Sequence, residues 1–156
     1  MSLFKTIDNF RGGNAFLSNF HPIPVLYQGI VYPSSENAYQ AAKTDCMETR
    51  KEFVSMTAGQ AKRAGRKLTL RQDWEDVSIS IMREILRTKF QDHHMATKLM
   101  GTGDILLVEG NNWHDNFWGD CNCEKCQRIV AKNVLGLLLM EIRTDVFNTY
   151  GDVDAR

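Results

Sequence analysis

An acid, an amide and a base are spaced along one short alanine-rich segment, YPSSENAYQAAK, at residues 32–43. Glu36, Gln40 and Lys43 are separated by four and then three positions, so on a helix they would share one face over about two turns. With a rise of about 1.5 Å per residue the two ends lie about 10 Å apart, which excludes a direct salt bridge but leaves room for a small ligand. The same pattern is also typical of a solvated polar face on a surface helix.

A polar loop rich in aromatic residues, NNWHDNFWGD at residues 111–120, is the second candidate for chemistry. Loops that concentrate tryptophan, histidine, aspartate and glycine are more often sites than packing elements, because a buried loop would leave backbone groups without hydrogen bonds. Trp113 and Trp118 could offer flat faces to a nucleobase. Asp115 could accept hydrogen bonds from ribose hydroxyls or stabilise positive charge. The simpler alternative is that one of the two tryptophans anchors the loop in the core.

Three cysteines crowd the segment CNCEKC, in which Cys121, Cys123 and Cys126 have the C-x-C-x-x-C spacing of a soft metal site. They are too close together in the sequence for an ordinary disulfide framework. Zinc takes four ligands, so three thiolates supply three corners of a tetrahedron, and the fourth ligand would be Cys46, His114 or a substrate atom. A structural zinc site and a set of free thiols in a loop are both compatible with this spacing.

The composition describes a globular chain without a strong global charge. Its 156 residues fit a single domain, expected over 1–156 with a core at about 4–143 and a loosely ordered tail at 144–156. Nineteen basic residues cancel nineteen acidic ones, which disfavours duplex DNA as the main partner. The sequence contains neither the apolar stretch of about 20 residues needed for a membrane span nor a signal peptide core. We therefore expect a cytosolic protein without a membrane partner.

Helices that follow a short β segment are expected to position these residues. Residues 4–32 have the glycines, prolines and β-branched pieces of two short strands around a turn at Gln28–Gly29. Capping residues and apolar spacing predict helices from Ser34 or Ser35, over 47–56, from Thr57 to about 65, over 73–93 with Asp73 as cap, over 93–101 and over 127–143. The predicted fold class is therefore mainly α with a small N-terminal β element (α+β).

In combination these stretches resemble the NADAR family, also called YbiA-like. The motifs FLSNF, YPSSENAYQAAK, GR, DWE, IM, KF, TGD, LVE, D..FWG and N.LG.LLM.IR occur in the order of the family between about Phe10 and Arg143. After Trp-Gly, where the family commonly has a Gly-rich loop, this chain has its cysteine cluster. The resemblance implies a single, mainly helical domain and an N-glycosidase, which cleaves the bond between the anomeric carbon of a ribose and a nitrogen.

The resemblance also implies substrates and residue roles. Substrates of the family include phosphoribosylamino-pyrimidine intermediates of riboflavin synthesis and ADP-ribose attached to guanine bases in nucleic acid. Lys43 is implied as a covalent catalyst that forms a Schiff base with the opened sugar, with Glu36 moving protons and Asp115 as the second carboxylate. A scheme in which one carboxylate donates a proton and the other activates water stays open. The residues expected to bind substrate are Ser18, Asn19, Phe20, Gln40, Arg66, Trp118, Gly119 and Asn133.

The alternative function is a sensor that binds ADP-ribose or a related nucleotide without catalysis. Enzyme and sensor both need the aromatic loop and the basic edge formed by Lys62, Arg63 and Arg66, although Lys62 is also typical of a solvated helix face. Only an enzyme needs Glu36 and Lys43 together. A third interpretation is a small interaction module stabilised by zinc. We expect no cofactor to be required for catalysis, and the oligomeric state stays open.

Overall fold

The computed structural model describes residues 4–151, which form helices together with short strands. The strands are β1 (Thr6–Ile7), β2 (Pro22–Tyr27), β3 (Ile30–Ser34), β4 (Leu106–Leu107), β5 (Gly110–Asn111) and β6 (Asp120–Cys121). The helices are α1 (Ser35–Ala41), α2 (Met47–Glu52), α3 (Ala58–Gly65), α4 (Trp74–Lys89), α5 (His93–Met100) and α6 (Val134–Tyr150), with short 3-10 helices at Gly12–Leu17, Phe53–Ser55 and Glu124–Cys126. The predicted fold class, mainly α with small β elements, is confirmed.

The chain divides into two compact units. The central unit, named for its place in the sequence, is Asn19–Asp92, and the terminal unit joins the residues up to Ser18 with those from His93 onward. The central unit contains β2, β3 and the first four helices, and the terminal unit contains the other strands, α5 and α6.

The central unit is built on an antiparallel hairpin. Strands β2 and β3 are joined by Gln28 and Gly29, which both have positive φ values of 46° and 81° and therefore form the tight turn that the sequence predicts. Alternate side chains face opposite sides of the hairpin, so Val25, Tyr27 and Tyr32 are buried. Helix α4 packs against β2, mainly through its own buried apolar side chains.

Helix α1 lies deep within the central unit. Its N-cap, Ser34, accepts a hydrogen bond from the Asn37 N–H at 3.2 Å, as the sequence predicts, and all seven residues of the helix are buried. Helix α1 packs against both α3 and α4. The contact with α3 requires a glycine, because a Cβ atom at Gly65 would lie 1.8 Å from the Gln40 Oε1 atom.

Two predicted helix caps have different outcomes. Thr57 begins α3 with a reciprocal capping box, in which Thr57 Oγ1 accepts the Gln60 N–H at 3.2 Å and Gln60 Oε1 accepts the Thr57 N–H at 2.9 Å. Asp73 precedes α4 as predicted, but its side chain makes no capping hydrogen bond. Its carboxylate instead accepts two hydrogen bonds from Arg71, at 2.6 and 3.0 Å, because a guanidinium two residues away competes with the backbone donors.

The terminal unit contains two small parallel strand pairs and the last two helices. Strand β1 pairs with β4, and β5 pairs with β6. Helices α5 and α6 contact each other, and α6 also contacts β4. No helix within residues 4–151 is long and apolar enough to cross a lipid bilayer.

The predicted boundaries of the last helix are wrong at both ends. Helix α6 begins seven residues later than predicted because Asn133 has a left-handed φ of 48° and the N–H groups of Val134 and Leu135 donate to the carbonyls of Phe117 and Trp118, both at 3.0 Å. The helix then continues to Tyr150, where the sequence predicted a loose tail. Buried Val146 extends the apolar stripe beyond Arg143 and explains this continuation.

Candidate active site

Glu36 is a buried acid on α1. Its side chain is only 7% exposed, its N–H donates to the Asn19 carbonyl at 2.9 Å, and its Oε1 atom accepts a hydrogen bond from Gln40 Nε2 at 2.7 Å. Burial raises the pKa of the Glu36 carboxyl above its ordinary value, and the hydrogen bond from Gln40 opposes this shift only in part. A solvated polar face is therefore excluded for this part of the helix.

Lys43 follows the last turn of α1 and is half-buried. Its Nζ atom lies 5.6 Å from the centre of the Tyr39 ring and 6.0 Å from that of Trp74, and these two rings are 5.2 Å apart. Burial lowers the pKa of the Lys43 amine, while the charge of Glu36 opposes the shift. Trp74 is thus both buried and close to the Lys43 amine.

Two cations of the predicted basic edge act on both Glu36 and Lys43. The charges of Lys62 and Arg66 lower the pKa of the Glu36 carboxyl, and they also lower the pKa of the Lys43 amine. Lys62 Nζ lies 5.6 Å from the ring centre of Phe20, which is 43% exposed. Lys62 is half-buried, so its side chain is only partly solvated.

Two buried side-chain oxygen atoms on residues that bond to Glu36 have no hydrogen-bond partner within the described part of the chain. They are Asn19 Oδ1 and Gln40 Oε1. The Asn19 amide nitrogen makes only a long hydrogen bond of 3.6 Å, to the Met82 sulfur. A buried acceptor without a donor costs free energy, and Gln40 Oε1 also packs directly against Gly65 of α3.

Asp115 organises the aromatic loop of the terminal unit. Its Oδ1 atom accepts hydrogen bonds from the N–H groups of Phe117 at 3.0 Å and Trp118 at 2.9 Å. The side chain of Asn111 accepts the Asp115 N–H and donates to the Asp115 carbonyl. Trp118 is partly buried and packs edge-on against Phe117, whereas Trp113 is 46% exposed. Trp118 is therefore the tryptophan better placed to anchor the loop, and the catalytic role of Asp115 stays a prediction.

Three other predicted binding residues have structural contacts that the sequence did not reveal. A Cβ atom at Gly119 would lie 2.1 Å from the Glu109 carbonyl oxygen, so the glycine is needed for close backbone contact. The Asn133 side chain accepts the Glu109 N–H at 3.0 Å and donates to the Leu107 carbonyl at 2.9 Å. Ser18 ends the first 3-10 helix and donates its N–H to Ala15. Their roles in substrate binding stay predictions.

The cysteine cluster gains a histidine in the folded chain. The donor atoms of His114, Cys121, Cys123 and Cys126 all lie within 4.8 Å of one another. Among the three candidates for a fourth ligand, His114 is therefore the one that the structure brings to the three thiols. Cys46 belongs to the central unit, where it is exposed at the N-terminus of α2.

Comparisons with known proteins give a consistent set of relatives. Residues 8–146 match the family described as NADAR domain. The N-glycosidase YbiA of Escherichia coli (strain K12) is 37% identical over 147 residues, which cover 92% of this chain and 86% of that protein. An N-glycosidase of Nostoc punctiforme is 36% identical over 138 residues, covering 84% and 85% of the two chains.

Two further matches concern a longer protein and a solved structure. A riboflavin biosynthesis protein of Vibrio vulnificus is 36% identical over 137 residues, which cover 85% of this chain but only 36% of that protein. The chain thus spans about a third of the length of this relative. The NMR structure of the E. coli protein YbiA matches with a TM-score of 0.76 and 34% identity, over 93% of this chain and 87% of that one.

Proposed function

The chain belongs to the NADAR family, and from this membership we propose that it is an N-glycosidase, a hydrolase that cleaves the bond between a ribose C1 atom and a nitrogen. The names of the relatives in E. coli and N. punctiforme support this class of reaction. One observation carries the proposal in this chain: α1 holds a buried acid with a raised pKa, Glu36, and is followed by a half-buried amine with a lowered pKa, Lys43.

The proposed substrate is a ribosylated amine that also bears a phosphate or pyrophosphate. Phosphoribosylamino-pyrimidines and ADP-ribosylated guanine are the two members of this class that we propose. The positive charges of Lys62 and Arg66, which act on both reacting groups, would bind the phosphate oxygens. Phe20, exposed beside Lys62, would stack on a base or ribose face.

Lys43 is the proposed nucleophile. When the C1–O4′ bond of the sugar opens, C1 is left doubly bonded to the substrate nitrogen, and the neutral Lys43 amine adds to this carbon. Proton transfer to the substrate nitrogen then releases it as a free amine and leaves C1 bonded to Lys43 as a Schiff base. Water adds to C1, the lysine leaves, and the sugar closes with a hydroxyl on C1. A lowered pKa supports this role, because only the neutral amine can attack.

Glu36 is the proposed proton carrier for these steps. A carboxyl with a raised pKa remains partly protonated closer to neutral pH, so it can donate to O4′ or to the departing nitrogen and later accept a proton from water. Asn19 Oδ1 and Gln40 Oε1 would accept hydrogen bonds from sugar hydroxyls.

One experiment tests both the class of reaction and the covalent step. The full chain is incubated with each of the two substrates, with and without borohydride, and the products and the protein mass are measured. We expect release of the free amine, and a reduced ribosyl adduct on Lys43 in the presence of borohydride. Lys43→Ala and Glu36→Gln should lower kcat by about 100-fold or more, while the affinity for substrate changes by less than about tenfold.

Lys67→Ala provides the matched control, since it removes an exposed lysine that follows α3 in the same central unit. This variant should retain full turnover and the adduct on Lys43. Turnover without any trapped adduct would overturn the covalent scheme in favour of water attack. Tight binding of either substrate without turnover by the wild-type chain would overturn the enzymatic proposal and establish the sensor instead.

A further inference from the structure

We propose that His114, Cys121, Cys123 and Cys126 bind one Zn²⁺ ion as a closed structural site, which we call the Cys3His cluster. All four residues lie in the terminal unit, within 13 consecutive positions that include β6 and the short 3-10 helix at Glu124–Cys126. The site is separate from the proposed chemistry of Glu36 and Lys43, and it does not depend on the proposed function.

The distances between donor atoms are close to those of a tetrahedral zinc site. Zn–S and Zn–N bonds of about 2.3 and 2.0 Å place neighbouring ligand atoms of a tetrahedron about 3.5–3.8 Å apart. In the cluster, His114 Nδ1 lies 3.3 Å from Cys123 Sγ and 3.4 Å from Cys126 Sγ, and no pair of donor atoms is more than 4.8 Å apart. A small movement of the side chains would therefore bring all four atoms onto one ion.

The donor set selects the metal. Three thiols and one imidazole are soft or borderline ligands, and they favour zinc over magnesium or calcium, which prefer oxygen. All four cysteines of the chain are free thiols, and Cys121 and Cys126 are buried. Four protein ligands leave no open position for water or substrate, so the ion would be structural and not catalytic.

Backbone contacts around the cluster already orient its ligands. The His114 N–H points at Cys121 Sγ at 3.3 Å, and Asn116 Oδ1 accepts the Cys121 N–H at 3.0 Å. His114 itself has a left-handed φ of 69°, a conformation that is rare for a residue with a side chain and that directs its ring toward the thiols. Such supporting contacts are typical of metal ligands in proteins.

Zinc in this position would fix the path of the aromatic loop. His114 adjoins Asp115, whose carboxylate receives the N–H groups of Phe117 and Trp118. The ion would link the start of this turn to the segment 121–126, and so would close a short loop around it. Removal of the ion would therefore destabilise this part of the terminal unit.

The test uses the full chain, purified and kept under reducing conditions, with metal content measured by mass spectrometry. We expect about one zinc per chain, replaceable by Co²⁺ with the intense visible d–d bands and thiolate charge transfer of a tetrahedral sulfur-rich site. Cys123→Ser and His114→Ala should each lower zinc occupancy at least about tenfold and lower Tm. Strong chelation should lower the Tm of the wild-type chain toward that of the variants.

Cys46→Ser and His94→Ala are the matched controls, because they remove an exposed thiol and an exposed imidazole outside the cluster. Both should retain zinc and the cobalt spectrum. The proposal is overturned if zinc added to reduced protein binds to less than about a tenth of the chains, if the controls lose as much zinc as the cluster variants, or if iron occupies the site instead. Loss of zinc in a variant that stays folded by circular dichroism supports it.

Discussion

Near helix α1, burial away from water shifts the pKa values of the Glu36 carboxyl and the Lys43 amine in opposite directions. Burial raises the pKa of Glu36 and lowers the pKa of Lys43, so each group has a larger neutral fraction near neutral pH than it would have in solution. The charges of Lys62 and Arg66 oppose the rise in the pKa of Glu36 and add to the fall in the pKa of Lys43. This combination favours a proton donor and an amine nucleophile in one site.

The substitution Glu36→Gln should stabilise the protein at neutral pH. The pKa of Glu36 is raised on folding, so protonation of this group stabilises the folded chain below its unfolded pKa, and this contribution is lost as the pH rises through the folded pKa. A neutral glutamine can still accept the hydrogen bond from Gln40 and avoids the buried charge. The gain in Tm over the wild type should grow from about pH 4 to about pH 7, as measured by differential scanning calorimetry.

The control for this prediction is Glu52→Gln, which neutralises an exposed acid. Its Tm should follow that of the wild type across the same pH range. A Glu36→Gln variant that is less stable at neutral pH, or whose difference in Tm does not change with pH, would contradict the burial argument.

The packing of α1 on α3 depends on the absence of a Cβ atom at one glycine, Gly65. At Gly65 an added Cβ atom would overlap the Gln40 amide, whereas at Gly59, on the same helix, the nearest atom would be 3.7 Å away on the Arg63 side chain. A substitution at Gly59 therefore tests helix propensity alone, whereas the same substitution at Gly65 also tests the contact between α3 and α1. Gly65 also places the amide of Gln40, and so affects the hydrogen bond to Glu36.

Gly65→Ala should destabilise the protein by about 1–3 kcal/mol, because the overlap forces either the Gln40 side chain or α3 to move. Gly59→Ala should instead be neutral or stabilising by up to about 1 kcal/mol, since alanine favours the helix. Urea unfolding followed by circular dichroism measures both values. Equal effects of the two substitutions would show that the contact with Gln40 does not require glycine.

Local signals in the sequence were sufficient for the hairpin turn and for the starts of α1 and α3 in the central unit. The paired turn residues Gln28–Gly29, the cap at Ser34 and the capping box at Thr57 act within four residues, so their structural result can be predicted without tertiary contacts. The start of α6 could not be predicted in this way, because carbonyl groups of the distant aromatic loop bind the N–H groups of Val134 and Leu135.

The candidate site likewise has features that follow from local sequence signals and features that depend on tertiary contacts. Helical spacing explains the neighbouring positions of Glu36 and Gln40, which the structure shows buried side by side, whereas Lys43 lies beyond the end of α1. The use of Asn133 as a bridge to the backbone of Leu107 and Glu109 has no local signature, since these residues are 26 and 24 positions away. From the sequence alone, His114 was only one of three candidates for the fourth ligand of the cysteine cluster.

Charge across the entire chain is balanced, with nineteen basic and nineteen acidic residues. A positive site such as that of Lys62 and Arg66 therefore acts over a short range and is not reinforced by a net charge on the protein. Recognition of a modified base in nucleic acid would then depend on the base and its phosphates, and only weakly on the surrounding duplex.

Unmodified duplex DNA should accordingly bind with a Kd weaker than about 10⁻⁴ M at physiological salt. A duplex that carries one ADP-ribosylated guanine should bind more tightly if it is a substrate, and Lys62→Ala should weaken this binding without changing the response to unmodified DNA. Fluorescence anisotropy with labelled duplexes measures both affinities. Micromolar binding of unmodified DNA with a steep dependence on salt would contradict this expectation.

The hydrogen bonds between the aromatic loop and the first turn of α6 couple two events that are usually independent. The loop carbonyls of Phe117 and Trp118 serve as acceptors for Val134 and Leu135, so fraying of this helix end and lifting of the loop break the same bonds. Movement of the loop therefore removes the acceptors of two N–H groups in the first turn of α6, which have no acceptor inside the helix, and this weakens the end of the helix that lies opposite Tyr150.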